Sequence, residues 1–325
     1  MSKIKIGIIG TGYIGGVHAN VLARDERVQL TCVFDLHAGR AEQLARSTGA
    51  TVAADAGEVI EKVDAVYITT PNTQHTQLTL QAIAAGKHVF CEKPMATTLA
   101  EAQAVFEATT KSDNIFQVGH NRRFAPVYAI LKQKLDEGLV PHSAHIKMNR
   151  GELLNPAWVA NPEITGGFLY ETTIHMFDMA RFQFGEVARL TAVGSTHEYA
   201  EEDEFSVLLE FANGFHATFA SSADASWLFP FERIELFAHH ATIVTREMES
   251  ITFSQMINGE FTTVSMHQLS KEERWGYAQE DRAFIDAMVE GKPATVTALD
   301  GLKSVELVDG CYRAVRSGER ISFTK

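Results

Sequence analysis

Lys93, set between Glu92 and Pro94, and His175, four residues after Glu171, are the side chains of this 325-residue chain best suited to moving a proton. An amine beside a cation or in a cleft loses part of its preference for protonation, and an imidazole titrates near working pH. Far upstream, Gly10, Gly12 and Gly15 follow the apolar run Ile4 to Ile9 and precede a helical stretch, Val17 to Ala23. In that setting the first glycine permits a tight turn, the second admits a pyrophosphate to the backbone, and the third lets helix meet strand. The helix amides then face the anion. A dinucleotide taking a hydride while an amine and an imidazole handle the hydroxyl proton amounts to alcohol dehydrogenation.

Each of these features has a blander reading. The glycines serve equally as a ligand-free turn, Lys93 as a solvated surface cation, and His175 as a satisfied core histidine. For the glycine loop, which includes Tyr13 and Ile14, Asp35 decides between them. It closes the next strand about twenty residues beyond Gly15, where a carboxylate accepts both ribose hydroxyls and repels a 2′-phosphate. NAD is favoured over NADP, with His37 and Arg40 close enough to soften the preference.

Lys93 follows the strand-like His88 to Cys91, at the carboxyl edge where open α/β sheets bind ligands. Pro94 biases it towards extended backbone and delays the next helix. If Leu169 to Phe184 is helical, Glu171, His175 and Asp178 share one face, with Gly166-Gly167 just upstream allowing close backbone approach. No third strong ligand at a familiar spacing supports a metal there. Further candidates for substrate contact are Arg122, Asn155, Trp158 and Tyr277. Arg122 and Arg123 read equally as ion-pair formers, and Trp158 and Tyr277 as packing residues.

The elements that must position these groups divide near residue 122. Residues 1–122 alternate short β-branched runs (Ile4 to Ile9, Val28 to Phe34, Thr51-Val52, Ala65 to Thr69, His88 to Cys91, Ile115 to Val118) with helical segments at Ala38 to Ser47, Gln74 to Ala85 and Leu99 to Lys111. That is how a parallel sheet covered by helices reads. Residues 123–325 begin with a helix ending at Gly138 and turn to period-two alternation, with Asn213-Gly214 and Asn258-Gly259 as primed-turn hairpin signals. Helices at Tyr277 to Val289 and Leu299 to Arg316 are expected to cover one face of that antiparallel sheet. Phe205, Phe211, Phe215 and Phe219 fit either core or interface. The fold class is α/β followed by α+β.

A net charge of -12 disfavours nucleic acid, which demands a clustered basic surface. Cys32, Cys91 and Cys311 are scattered, without the spacing of a zinc site or disulfide framework, which suits a reducing compartment. Met1 to Lys5 run directly into the first strand without an export signal, and no apolar stretch reaches membrane-spanning length, so a cytoplasmic protein is expected.

On its motifs the chain resembles the Gfo/Idh/MocA oxidoreductases from end to end. The match comprises the glycine loop, Thr70-Pro71-Asn72 with His75, the run Gly86 to Pro94 containing Glu92-Lys93-Pro94, and Gly166-Gly167 leading to Glu171, His175 and Asp178. The resemblance implies a Rossmann domain followed by an open-faced, mainly antiparallel sheet domain, and NAD(P)-dependent oxidation of a sugar, cyclitol or related polyol. It also implies assembly as a homodimer or homotetramer through the second sheet. It places Thr70, Pro71, Asn72, His75, Glu92 and Lys93 at the cofactor, Lys93 and His175 in proton transfer, and Glu171 where the family has an aspartate. Glutamate is one methylene longer, so the family's substrate geometry does not transfer directly. Two rival readings stay open: a glycosidase that oxidises transiently without net NADH, and a non-catalytic sugar or NAD sensor, which has no need of a proton relay.

Overall fold

The computed structural model describes residues 3–150, 157–226 and 230–323, in two compact units: residues 1–121 with 277–305, and 122–276 with 306–325. The first unit opens β1 (Ile4–Ile9), α1 (Tyr13–Leu22), β2 (Val28–Phe34), α2 (Ala38–Thr48), β3 (Thr51–Val52) and α3 (Ala56–Lys62). It continues β4 (Ala65–Ile68), α4 (His75–Ala84), β5 (His88–Glu92), α5 (Leu99–Thr110) and β6 (Phe116–Gly119). The strands form one parallel sheet in the order β3-β2-β1-β4-β5-β6, the doubly wound arrangement expected. Strands buried on both faces are continuously apolar, as in the Ala-Val-Tyr-Ile of β4.

Two local features escaped the periodicity. Helix α1 begins at Tyr13 rather than Val17: Gly15 and Gly16 weaken its propensity, and packing demands the first of them. A Cβ on Gly15 would lie 2.2 Å from the Gly10 carbonyl oxygen. The short α3 is set by its cap: the Asp55 side chain accepts from the Glu58 amide.

The second unit comprises α6 (Pro126–Asp136), β7 (Pro141–Asn149), α7 (Pro162–Thr165), α8 (Ile174–Phe184), β8 (Val187–Ser195), β9 (Glu204–Phe211) and β10 (His216–Ser222). Then come β11 (Glu232–Ala238), β12 (Ala241–Arg246), β13 (Ser250–Ser254), β14 (Thr262–Ser265) and α9 (Lys271–Arg274). With β15 (Ile321–Ser322) the strands form a nine-stranded sheet, β14-β13-β12-β11-β7-β10-β9-β8-β15. All its pairings are antiparallel except β7 with β10. Phe205, Phe211, Phe215 and Phe219 are core residues. Phe177 and Phe184 of α8 meet Phe219 and Phe215 at ring centroid distances of 4.9 and 4.5 Å, so α8 covers the inner face of β9 and β10.

Neither Asn-Gly pair makes the expected primed turn. Phe211 and Phe215 are bonded across a three-residue loop in which Gly214 alone has positive φ (89°), the type I plus bulge solution. Between β13 and β14 the register ends at Phe253 and Thr262, a longer connection in which Gly259 is not left-handed.

The largest departure concerns the last helices, α10 (Tyr277–Glu290) and α11 (Ala298–Ser317). Tyr277–Val305 returns to the first unit instead of covering the second sheet, so the boundary near residue 122 marks the chain's departure but not its return. Phe284 and Ile285 of α10 join the core of Ile6, Ile8, Tyr67 and Phe90. A helix amphipathic enough for either sheet carries no local mark of which one it covers.

Candidate active site

In the first unit, the glycine loop has the shape its spacing promises. Gly10 is left-handed (φ 95°), and a Cβ there would meet Thr69 and Thr70 backbone atoms at 2.6–2.7 Å. Gly12, by contrast, has nothing within 4 Å of its Cβ position and caps α1 without a side-chain bond. An open cradle therefore lies before the first-turn amides, which have no partner within the helix. Asp35 holds the loop: Oδ2 accepts from the Thr11 amide (2.7 Å) and hydroxyl (3.1 Å), and Oδ1 from the His37 amide (2.8 Å). The hydroxyl oxygen of Thr70 is buried and lacks a hydrogen-bond partner, as a ligand-facing group would. These observations fit a dinucleotide held by Gly10, Gly12, Tyr13, Ile14, Gly15, Asp35 and Thr70. Asp35→Ala should weaken NADH binding by about tenfold, the value of a charge-assisted bond, and narrow the preference over NADPH. Fluorescence titration showing unchanged NADH affinity would count against this role.

Thr70 and Pro71 lead into a 3-10 turn, Asn72–Gln74, with Asn72 and His75 buried. Both nitrogens of His75 meet backbone carbonyls, Pro94 O at 2.7 Å and Thr70 O at 2.8 Å, and burial pushes its pKa down. A neutral ring donates to one of these carbonyls, so His75 ties the backbone near Thr70 or Pro94, the segments expected beside cofactor and lysine.

Lys93 is half-buried at the carboxyl end of β5, before a cis Pro94. Its amide donates to Glu92 Oε2 at 3.0 Å. Glu92 in turn belongs to a cluster that sequence reasoning missed. His18, inside α1, faces Glu92 Oε1 through Nε2 (3.1 Å) and Asp281 Oδ1 of α10 through Nδ1 (2.8 Å), all three buried. Burial opposes a charge on His18, but Asp281 and Glu92 outweigh it and hold the imidazole pKa well above its ordinary value. The Glu92 carboxyl is held below its usual range: burial opposes this, and the His18 hydrogen bond and charge prevail. Glu280 offers a third potential ligand atom within 4.8 Å of those of His18 and Glu92. The His18 nitrogens are already taken by carboxylates. The sequence signal was a histidine between Val17 and Ala19 on an apolar helix, with partners 74 and 263 residues away.

In the second unit, Leu169–Thr173 forms a π-helical turn in which the Ile174 amide bonds Leu169 O, and α8 continues from it. An α-helix advances i+4 past i by about 40°; the wider turn takes some of that back, bringing His175 closer to the azimuth of Glu171. Glu171 lies 3.6 Å from Arg150 Nη1, which also donates to Thr172 Oγ1 at 3.2 Å. Asp178 receives a two-pronged bond from Arg123: Nε to Oδ2 at 2.8 Å and Nη2 to Oδ1 at 2.6 Å. The N-terminal approach is clamped by Glu201, which accepts from the Phe168 amide (3.0 Å), and by Tyr312 Oη, which accepts from the Leu169 amide (3.1 Å). Gly167 is left-handed (φ 116°), and a Cβ there would come within 2.6 Å of both side chains.

The other expected substrate contacts fare differently. Arg122 is buried against Glu232, Nη2 to Oε2 at 2.8 Å, so its ion pair is an internal one rather than a surface one. Tyr277 lies in the first unit, edge-on to the His18 ring at 5.7 Å. Trp158 is half-buried in a 3-10 turn, Ala157–Ala160. Asn155 lies outside the described residues. Thus the first unit carries the cofactor loop and Lys93, the second Glu171 and His175.

The model of an oxidoreductase family's NAD-binding Rossmann fold matches residues 4–120, and that of its C-terminal alpha/beta domain matches residues 132–323. The chain is 28% identical to an inositol 2-dehydrogenase of Rhizobium meliloti, covering 98% of this chain and 99% of that one. It is 30% identical to a myo-inositol 2-dehydrogenase of Thermotoga maritima, covering 92% of each. The crystal structure of a putative myo-inositol dehydrogenase from Sinorhizobium meliloti superimposes with a TM-score of 0.85 at 27% identity, over 99% of this chain and 100% of that chain.

Proposed function

Because the chain belongs to the Gfo/Idh/MocA oxidoreductase family, we propose that it oxidises a secondary hydroxyl of a sugar, an inositol-like cyclitol or a related polyol. The observation that carries this reading is the near full-length likeness to proteins named inositol 2-dehydrogenases, in a chain that carries both Lys93 and His175. NAD, when bound, supplies the hydride acceptor. Lys93 hydrogen-bonds and polarises the carbinol oxygen, and His175 accepts its proton. Glu171, held by Arg150, orients His175 or takes a neighbouring substrate hydroxyl, and its extra methylene tunes which polyol fits.

The same proposal includes assembly as a homodimer or homotetramer through the nine-stranded sheet, supported by the exposed Val193 and Leu208 on β8 and β9. It also includes a cytoplasmic location, supported by buried, unbridged Cys32, Cys91 and Cys311. Among the described residues no helix is long and apolar enough to cross a membrane.

Purified protein is mixed with NAD and a panel of inositols, sugars and glycosides while reduced cofactor is followed by absorbance. Accumulation of NADH with a free polyol is the expected result. Glycoside cleavage without NADH would favour transient oxidation instead, and silence across the panel would remove the substrate class.

A further inference from the structure

We propose that His18 is a positioning residue: through the Glu92 carboxylate it fixes the backbone from which Lys93 extends, tying the helix behind the glycine loop to the proton-handling amine. The functional meaning rests on the dehydrogenase reading above; the linkage itself does not. His18 presents both ring nitrogens to carboxylate oxygens, Asp281 Oδ1 at 2.8 Å and Glu92 Oε1 at 3.1 Å. A neutral imidazole donates from one nitrogen only, so it would set a lone pair against one of them. An imidazolium donates to both. The ring is walled by Phe90 (4.9 Å), Tyr67 (5.4 Å) and Tyr277 (5.7 Å).

Glu92 is pinned just as firmly. Its Oε1 meets His18, its Oε2 accepts the Lys93 amide, and its Cδ would lie 2.9 Å from any Cβ on Gly119 of β6. The titratable groups facing this pair come from several elements: Tyr67 from β4, Lys93 after β5, and Glu280 and Asp281 from α10. The buried charge on α1 thus settles where the Lys93 backbone amide points, whereas a cluster serving stability alone would leave that amide indifferent to the state of His18.

The test uses full-length protein labelled with ring 15N-histidine, and separately with 13C′-glutamate and 15N-lysine. Glu-Lys pairs occur at 61–62 and 92–93, so the Lys93 amide is identified by one substitution. Both His18 nitrogens should carry protons at about pH 7, above the ordinary histidine range; a neutral pattern there overturns the proposal. As base is added to the unmutated protein, loss of the His18 proton and a shift of the Lys93 amide should occur in one transition. An amide that ignores that transition overturns it too.

In His18→Gln, Glu92 loses its cation and burial raises its pKa. The Lys93 amide should then titrate with Glu92 at a higher pH than a parent carboxylate would, and adding Glu92→Gln should abolish that titration. With an active polyol, kcat of His18→Gln should fall roughly 10- to 100-fold and recover as pH rises; a pH-independent loss would mark a merely structural role. A silent polyol panel would sink the dehydrogenase reading, while the wild-type spectra would still decide this linkage.

Discussion

Lys93→Met is expected to lower kcat/KM for the best polyol by about 10²- to 10⁴-fold, the range of a lost acid-base partner. Methionine keeps most of the stem, so packing at the end of β5 survives while the amine is removed. His175→Gln should cost about as much. Because both groups serve the same oxygen in the proposed mechanism, the double variant should be little worse than either single one, as residues acting as a unit are non-additive. Stopped-flow measurement of hydride transfer provides the check. Unchanged turnover in Lys93→Met, or fully multiplicative losses in the double variant, would reject the shared role.

The second large effect is on stability. Glu232 is fully buried in β11, where its Oε2 takes the Arg122 guanidinium and its Oε1 accepts the Tyr128 hydroxyl at 2.7 Å. Glu232→Ala leaves a buried guanidinium without its counter-charge and should cost about 3–5 kcal/mol, a fall in Tm on the order of 10 °C. Replacing both Arg122 and Glu232 with methionine should recover much of that loss, since the desolvation penalty disappears with the pair. Calorimetry distinguishes these outcomes; a melting temperature for Glu232→Ala equal to the parent's would show that the pair does not support the fold.

How far the residues announce this structure depends on how local each cause is. The glycine loop, Asp35 and the position of Lys93 were legible because a strand, a turn and a helix start lie within a few residues of one another. The phenylalanines of β9 and β10 left two options open that only the packing of α8 decides. The π-helical turn at Leu169–Thr173 has no composition of its own, and the side chains that hold its start, Glu201 and Tyr312, are distant in sequence. Arg122 looked like a candidate contact because its partner, Glu232, lies on a strand 110 residues later. His18 was overlooked for the same reason.

The return of Tyr277–Val305 to the first unit has a consequence for biosynthesis. A ribosome delivers β1 to β6 first, yet Phe284, Ile285 and Asp281, which complete their core and neutralise His18, emerge after residues 122–276. At ordinary elongation rates that interval is roughly ten to thirty seconds. Throughout it the nascent Rossmann half carries an unfinished apolar flank, a natural target for a chaperone, and it reaches its final form only after the second unit's sheet has been made.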